Sequence, residues 1–248
     1  MGMFKYSLLG IWIAFSLVIS AQDDFDPSIR SENTIRIAFY NTENFFDVLD
    51  DPKKRDDEFT PNGDKHWDKY KFNEKQAKLA KVIIALGGWE CPEIIGFCEL
   101  ENKGVLQSLI WQNNLKDQGY KIVHYESPDR RGIDVGLLYR SEKINLIYSE
   151  PVSINFPWDA RYKTRDILYA VFSMNIKDTF HLFINHWPSR WGGQLESEPS
   201  RKFVASVLKS KTDSLFGLDK EARIIIMGDF NDTPVNESVS KVLGAQPQ

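Results

Sequence analysis

The chain has 248 residues, of which 42% are hydrophobic and 13% aromatic. That is enough apolar material for one large globular domain, and it excludes an intrinsically disordered chain. The formal net charge of -4 excludes the broad positive surface on which tight nonspecific binding to nucleic acid depends. A phosphate-bearing ligand would therefore have to be held by a metal ion or by a few local arginines.

The N-terminus has the three-part form of a secretory signal. Lys5 precedes the uncharged run "SLLGIWIAFSLVIS", which ends in small residues before the acidic "QDDFD". A membrane anchor is the alternative interpretation, but about fifteen uncharged residues are short for a span. We therefore expect residues 1–21 to be a signal peptide and residues 22–248 to be an exported domain, periplasmic or secreted, without a transmembrane span. Removing Lys5 leaves this domain acidic.

Seven runs rich in Ile, Val, Phe and Tyr, bounded by turn residues, predict β-strands. In chain order they are "TIRIAFYN", "PEIIGFCE", "GIDVGLLYR", "KINLIYSE", "ILYAVFSMNI", "TFHLFINH" and "RIIIMGD". No repeat or low-complexity linker divides the chain, which favours a single domain. Strands follow strands between residues 132 and 186, whereas helices intervene elsewhere, and this order favours mixed sheets covered by helices over a parallel barrel.

Two segments predict helices that pack on a core. "NEKQAKLAKVIIALGG" places Leu79, Ala80, Ile83 and Leu86 at helical spacing before a glycine pair, and "EPSRKFVASVLKSKTDSLFG" carries an apolar stripe that reaches Phe216. The charged segment "DVLDDPKKRDDEFTPNGDKHWDKY" predicts a long surface loop. The two cysteines are seven residues apart with the second inside a predicted strand, a placement that disfavours a disulfide between them.

Four of the predicted strands end in polar residues. These residues are Asn41, Glu99, Asn185 with His186, and Asp229 with Asn231. Each would be an ordinary turn or surface residue alone, but polar side chains clustered at one edge of the sheets would make an oxygen-rich pocket beside one imidazole. Carboxylate and amide oxygens suit a hard cation, with Mg²⁺ first and Mn²⁺ or Ca²⁺ as substitutes, and they disfavour zinc.

The motifs "YNTENFFD", "IGFCELEN", "INHWPSR" and "GDFND" occur in this order, and the set resembles the endonuclease/exonuclease/phosphatase superfamily. That superfamily includes pancreatic-type deoxyribonucleases, abasic-site endonucleases, neutral sphingomyelinases and inositol-phosphate phosphatases. The resemblance implies an α/β (α+β) four-layer sandwich of two mixed β-sheets flanked by helices. It also implies metal-dependent hydrolysis of phosphate esters, with a nucleic acid or a small phosphodiester as substrate. We expect a monomer.

The resemblance assigns a role to each motif residue. Glu99 and Asn41 match the metal ligands, with Glu99 the principal one. Asp229 matches the residue that orients the attacking water or its base, and Asn231 matches one that binds a phosphate oxygen. His186 matches the histidine that contacts the phosphate or the leaving oxygen.

Three further residues are expected on the substrate side of the site. Arg165 matches an arginine that the deoxyribonuclease branch directs at phosphate, although a solvated arginine at a strand start is the alternative. Asn185 and Arg190 belong to "INHWPSR", and Asn185 would also support its strand end. Asp134 could orient an imidazole or could be a hairpin residue.

The sequence departs from the family pattern at two points. Cys98 stands where the family usually has Gln before the metal-binding Glu. No Ser-Asp-His motif follows "ESVSKVLGAQPQ", and in the family that motif carries the general base. We therefore expect the domain to lack its C-terminal portion, which leaves the activity of the chain open. A lipid- or inositol-phosphate phosphatase and a non-catalytic protein that binds a phosphate ligand are the alternatives.

Overall fold

The computed structural model describes residues 34–88, 90–111, 113–174 and 179–246. The predicted signal peptide at 1–21 lies outside these residues. The described residues form eight strands: β1 Ile37–Phe45, β2 Ile94–Leu100, β3 Tyr120–His124, β4 Asp134–Arg140, β5 Asn145–Val152, β6 Ile167–Ser173, β7 Thr179–His186 and β8 Ile224–Asp229. The long helices are α1 Lys69–Gly87, α2 Lys103–Trp111 and α3 Gln194–Leu218. Short helical turns cover Asp57–Phe59, Asn113–Gln118 and Ser238–Leu243.

The strands form two four-stranded sheets, and both sheets are mixed. The first has the order β1-β2-β4-β3, in which β1 and β2 are parallel and the other neighbours antiparallel. The second has the order β5-β6-β7-β8, in which β7 and β8 are parallel. Each sheet thus contributes one parallel pair whose carboxyl ends lie side by side.

Three apolar layers separate four layers of secondary structure. Helices α1 and α2 pack on the outer face of the first sheet, and α3 packs on the outer face of the second. The inner layer joins the two sheets, and Cys98 and Ile184 lie in it. Gly96 marks the closest approach, because a β-carbon there would lie 2.6 Å from the Cδ1 of Ile184. The predicted four-layer sandwich is confirmed.

Each of the seven predicted strands overlaps an observed one, and both predicted helices are present. Helix α1 begins earlier than expected, because the side chain of Asp68 accepts a hydrogen bond from the Lys71 N–H at 2.9 Å and caps it. Leu86 and Phe216 are exposed at the ends of their helices, so the predicted apolar stripes were too long. Both cysteines are buried and unpaired.

The charged segment before α1 is a loop, as predicted, but it is anchored to the domain. The indole of Trp67 donates a hydrogen bond to the carbonyl of Phe46 at 3.0 Å, and the ring of Phe59 stacks on that of Phe46. Within the described part of the chain, no helix is both long and apolar enough to cross a bilayer.

Candidate metal and phosphate site

Polar residues from four strands meet at one edge of the sandwich. The Nδ2 of Asn41 on β1 lies 3.3 Å from the Oε1 of Glu99 on β2 and 3.2 Å from the Oδ2 of Asp229 on β8. The Nε2 of His186 on β7 lies 3.8 Å from the same Glu99 oxygen. The two parallel pairs, one from each sheet, therefore deliver their terminal polar residues to a common pocket.

Glu99 reaches this pocket because β2 bulges at its position. The residues before and after it, Cys98 and Leu100, pair with both neighbouring strands, whereas Glu99 pairs with neither. Its φ angle is +60°, a left-handed conformation that costs a non-glycine residue about 1–2 kcal/mol. The hydroxyl of Thr42 supports the bulge through contacts of 2.8 Å to the carbonyls of both Cys98 and Glu99. The bulge directs the side chain of Glu99 into the pocket, although Glu99 lies within a strand.

The end of β8 is shaped by the segment "GDFND". A β-carbon on Gly228 would lie 2.2 Å from the backbone oxygen of Asn185, and the φ angle of Gly228 is +150°, so only glycine fits. The next turn places the N–H of Asn231 2.9 Å from the Oδ1 of Asp229, and the Asn231 side chain donates to the carbonyl of Trp187 at 2.9 Å. The glycine and the turn therefore fix the carboxylate of Asp229 and the amide of Asn231 side by side.

A buried ion-pair network holds this turn in place, and Arg190 is the one member to which sequence reasoning assigned a role. Asp232 accepts hydrogen bonds from Arg190 at 3.0 Å and Ser238 at 2.5 Å, and its carboxylate lies 2.8 Å from the Nε of Arg201. Arg201 is fully buried, on the same face of α3 as Val204. A charged residue inside the apolar stripe of a helix is the sequence signal that could have indicated such a network.

Arg190, predicted to bind substrate, is committed to this network. Its Nε donates to the carbonyl of Asn231 at 2.8 Å, and its terminal nitrogens donate to Gln194, Asp232 and Asn236. Four of its five N–H groups therefore have protein acceptors. The structure gives Arg190 a positioning role beside the site, and direct contact with substrate stays a prediction.

Asn185 is fully buried. Its Oδ1 accepts from the indole of Trp187 at 3.1 Å, and its Nδ2 donates to the carbonyl of Met227 at 3.2 Å. The side chain ties β7 to β8, which agrees with the expected support of the strand end. The geometry gives no support to the expectation that Asn185 also binds substrate.

Arg165 is buried directly behind the pocket. Its guanidinium lies 3.2 Å from the carboxylate of Asp129 and donates to the carbonyl of Trp187 at 2.6 Å. Sequence reasoning missed Asp129, which holds this arginine. The alternative of a solvated arginine at a strand start does not fit, because Arg165 is only 6% exposed.

His186 is a neutral imidazole at physiological pH. Burial lowers its pKa well below the ordinary value, and the positive charges of Arg165 and Arg131 lower it further. Among the described residues its Nδ1 has no hydrogen-bond partner, although it is buried. A neutral ring that keeps donor and acceptor capacity suits contact with a phosphate or leaving oxygen.

The donor set fits a hard divalent cation. The carboxylates of Glu99 and Asp229 flank one amide, and this concentration of oxygen ligands and negative charge is what Mg²⁺, Mn²⁺ or Ca²⁺ require. Cys98 lies near His186 and Asp229, but burial raises the pKa of its thiol. The protonated thiol is therefore a core group and not a ligand for a soft metal.

A second cluster of titratable residues lies elsewhere on the first sheet. The carboxylate of Asp134 lies 3.2 Å from the Nε2 of His124, with Glu126 beside it. The oxygen opposite on Asp134 accepts from the N–H of Ser127 at 2.9 Å. Asp134 therefore contacts an imidazole, as one of its two interpretations had it, but the imidazole belongs to His124.

Residues 36–248 match the endonuclease/exonuclease/phosphatase family. The match covers most of the chain, which therefore belongs to this family of phosphoric-ester hydrolases, and the resemblance inferred from the four motifs is confirmed. No curated protein sequence matches the chain significantly.

Solved structures agree on the fold. The human Nocturnin catalytic domain with bound sulfate anion is 19% identical, with a TM-score of 0.52 over 67% of this chain and 60% of its own. An endonuclease/exonuclease/phosphatase family protein from Bacteroides thetaiotaomicron is 14% identical, with a TM-score of 0.57 over 84% of this chain and 66% of its own. ANGEL2, a 2',3'-cyclic phosphatase, is 14% identical, with a TM-score of 0.56 over 83% of this chain and 55% of its own.

The chain thus spans less than two thirds of the length of these three structures. At such identities the likeness shows the fold alone.

Proposed function

We propose that this protein hydrolyses phosphate diesters with the help of a divalent cation, Mg²⁺ first. One observation carries the proposal. The amide of Asn41 lies within 3.3 Å of two carboxylates, those of Glu99 and Asp229. Glu99, which suits a cation, and Asp229, which suits water, therefore lie in one pocket. The polar residues at the four strand ends predict such a pocket.

Glu99 and Asn41 would hold the cation, which when bound supplies Lewis-acid polarisation of a phosphoryl oxygen. In the described arrangement the Nδ2 of Asn41 faces the carboxylates, while its Oδ1 accepts a hydrogen bond from the N–H of Glu43 at 2.8 Å. Coordination through Oδ1 requires a half-turn of the amide. That turn would break the two hydrogen bonds from Nδ2 and the one accepted by Oδ1, and a bound cation would compensate by screening the two carboxylates from each other.

Asp229 would orient the attacking water. The N–H of Asn231 fixes its Oδ1, and its Oδ2 accepts a hydrogen bond from the Nδ2 of Asn41 at 3.2 Å. A carboxylate held in this way accepts a hydrogen bond from water and raises the electron density on the water oxygen. As that oxygen bonds to phosphorus, the bond from phosphorus to the leaving oxygen breaks, and the proton lost by the water passes to the leaving group or to solvent.

Asn231 and His186 would bind the phosphate. The side-chain nitrogen of Asn231 carries two hydrogens, of which the carbonyl of Trp187 takes one, so the other remains for a phosphate oxygen. The neutral ring of His186 can donate one hydrogen bond to a phosphate or leaving oxygen. Fixed donors of this kind stabilise the charge that develops on phosphate oxygens in the transition state.

The test is a rate assay with bis(p-nitrophenyl) phosphate as diester and p-nitrophenyl phosphate as monoester, each with a Mg²⁺ titration and an EDTA control. We expect diester hydrolysis that requires the cation and is lost in Asp229→Ala, whereas the exposed Asp117→Ala should retain it.

Faster monoester hydrolysis would favour the phosphatase alternative. Phosphate binding without turnover of either ester would favour the non-catalytic one. Equal diester rates in wild type and Asp229→Ala would contradict the proposed role of the pocket.

A further inference from the structure

A basic cavity of about 710 Å³ adjoins the proposed site. Six basic residues line it, against two acidic ones, Asp129 and Asp159. The basic residues are Arg55, Arg130, Arg131, Arg161, Lys163 and Arg165. A chain whose formal net charge is -4 thus concentrates positive charge in one concave surface, which raises the local concentration of anions.

The two acidic residues do not neutralise this surface. Asp129 holds Arg165 at 3.2 Å, and Asp159 lies 3.7 Å from the Nε of Arg161. Arg55 and Lys163 have no hydrogen-bond or ion-pair partner for their side chains among the described residues. Cations without such a partner are available to a ligand.

The lining of the cavity is joined by hydrogen bonds to the pocket that contains Asp229. Arg165 lines the cavity and donates to the carbonyl of Trp187, and that carbonyl also accepts from Asn231 in the site. Ser189 of the same segment lines the cavity as well. A substrate whose reacting phosphate contacts Asn231 therefore has its adjacent part close to the basic residues.

The lining also offers buried polar atoms and exposed rings. Among the described residues, the Oγ1 of Thr164 and the Nε of Arg165 are buried without a hydrogen-bond partner, and buried polar groups ordinarily have one. Trp191 is 92% exposed and Tyr162 is 39% exposed, and both line the cavity. Exposed rings beside arginines suit a ligand that combines phosphate with a base.

We infer that this cavity binds a second phosphate group of the substrate, next to the phosphate that is hydrolysed. The inference rests on the proposed function and narrows its substrate class to phosphodiesters that carry at least one further phosphate. A nucleotide and a phosphorylated inositol both offer that chemistry, and the two aromatic rings favour the nucleotide.

The experiment is calorimetric titration in EDTA, so that neither a cation nor hydrolysis contributes. The probes are adenosine 3',5'-bisphosphate against adenosine 5'-monophosphate, and inositol 1,4-bisphosphate against inositol 1-phosphate. We expect at least one bisphosphate to bind wild type on the order of tenfold more tightly than its monophosphate, because each charge-assisted contact contributes about one decade in affinity. The pair of probes that shows this preference for the bisphosphate identifies whether the second phosphate belongs to a nucleotide or to an inositol phosphate.

The variant Arg55→Gln/Lys163→Gln should lose most of this preference, since it removes two cations that have no hydrogen-bond or ion-pair partner in the described part of the chain. Lys81→Gln/Lys220→Gln is the matched control, because it removes two exposed cations that do not line the cavity, and it should retain the preference. An equal preference in both double variants, or none in wild type, would overturn the inference. Failure of diester hydrolysis alone would instead count against the proposed function, because this binding assay does not depend on turnover.

Discussion

Substituting Glu99 with Gln should change the stability of the cation-free protein and its response to a cation in opposite directions. The Glu99 oxygen and the Asp229 oxygen both lie near the Nδ2 of Asn41, at 3.3 and 3.2 Å, so they are at most about 6.5 Å apart. Glu99→Gln keeps the shape and the acceptor for Asn41. It removes one of the two negative charges.

The magnitude follows from that separation. At an effective dielectric constant of about 20, two unit charges about 6.5 Å apart repel by about 2.5 kcal/mol. Relief of part of that repulsion should raise the melting temperature of the cation-free variant by a few degrees, at about 2–4 °C per kcal/mol for a chain of this size. Wild type should gain about 2.7 kcal/mol from a cation at about 100 times its dissociation constant, and the variant should lose most of that gain.

The assay is thermal unfolding of wild type and variant in EDTA and across a Mn²⁺ titration. Glu221→Gln is the matched control, because this exposed residue lies on the turn before β8 and should change neither quantity. A Glu99→Gln protein that melts lower than wild type in EDTA, or that keeps the full stabilisation by Mn²⁺, would refute the placement of Glu99 as principal ligand.

Three further predictions concern the strand ends. Asp229→Ala should leave Mn²⁺ affinity within a few fold but lower diester turnover by about 100-fold or more, since Asp229 acts on the water and not on the cation. Calorimetry measures the affinity and the chromogenic assay measures the turnover. A similar loss of Mn²⁺ affinity and of turnover would contradict this role. Gly228→Ala should lower the free energy of unfolding by at least about 2 kcal/mol in urea titration, because its β-carbon would meet the Asn185 oxygen at 2.2 Å; an unchanged midpoint would contradict the close approach. Burial raises the pKa of Glu101 to about 8 from its ordinary 4.5, so the folded protein keeps a proton that the unfolded chain loses, and stability should fall as pH rises from about 4.5 through about 8. Glu101→Gln should flatten that fall in melts between pH 6 and 9, and an identical slope in both proteins would show that the carboxyl is not the cause.

The parts of the fold that could be predicted from sequence are those with a long local pattern. The run that became β2 is apolar from Ile94 to Cys98, the run that became β7 is rich in Phe, Leu and Ile, and α1 repeats its apolar residues at helical spacing. Strand β3 has only five residues, Tyr120–His124, and α2 has only nine. Short elements of this kind depend on the sheet around them, and local pattern does not reveal them.

The meeting of Asn41, Glu99, His186 and Asp229 could also be predicted, because each follows an apolar strand and the family resemblance fixed the order of those strands. What sequence could not give is the set of supporting contacts. The left-handed bulge at Glu99 depends on pairing with two strands that are distant in sequence. The assigned roles, the exported location and the monomeric state stay predictions.

The most direct test of the central claim is anomalous diffraction from crystals soaked in Mn²⁺, which reports where the cation binds. We expect one strong peak at about 2.1 Å from a carboxylate oxygen of Glu99, with the amide of Asn41 turned to present its oxygen. A peak at the cluster of His124, Glu126 and Asp134, with none beside Glu99, would contradict the claim that the strand ends form a metal site.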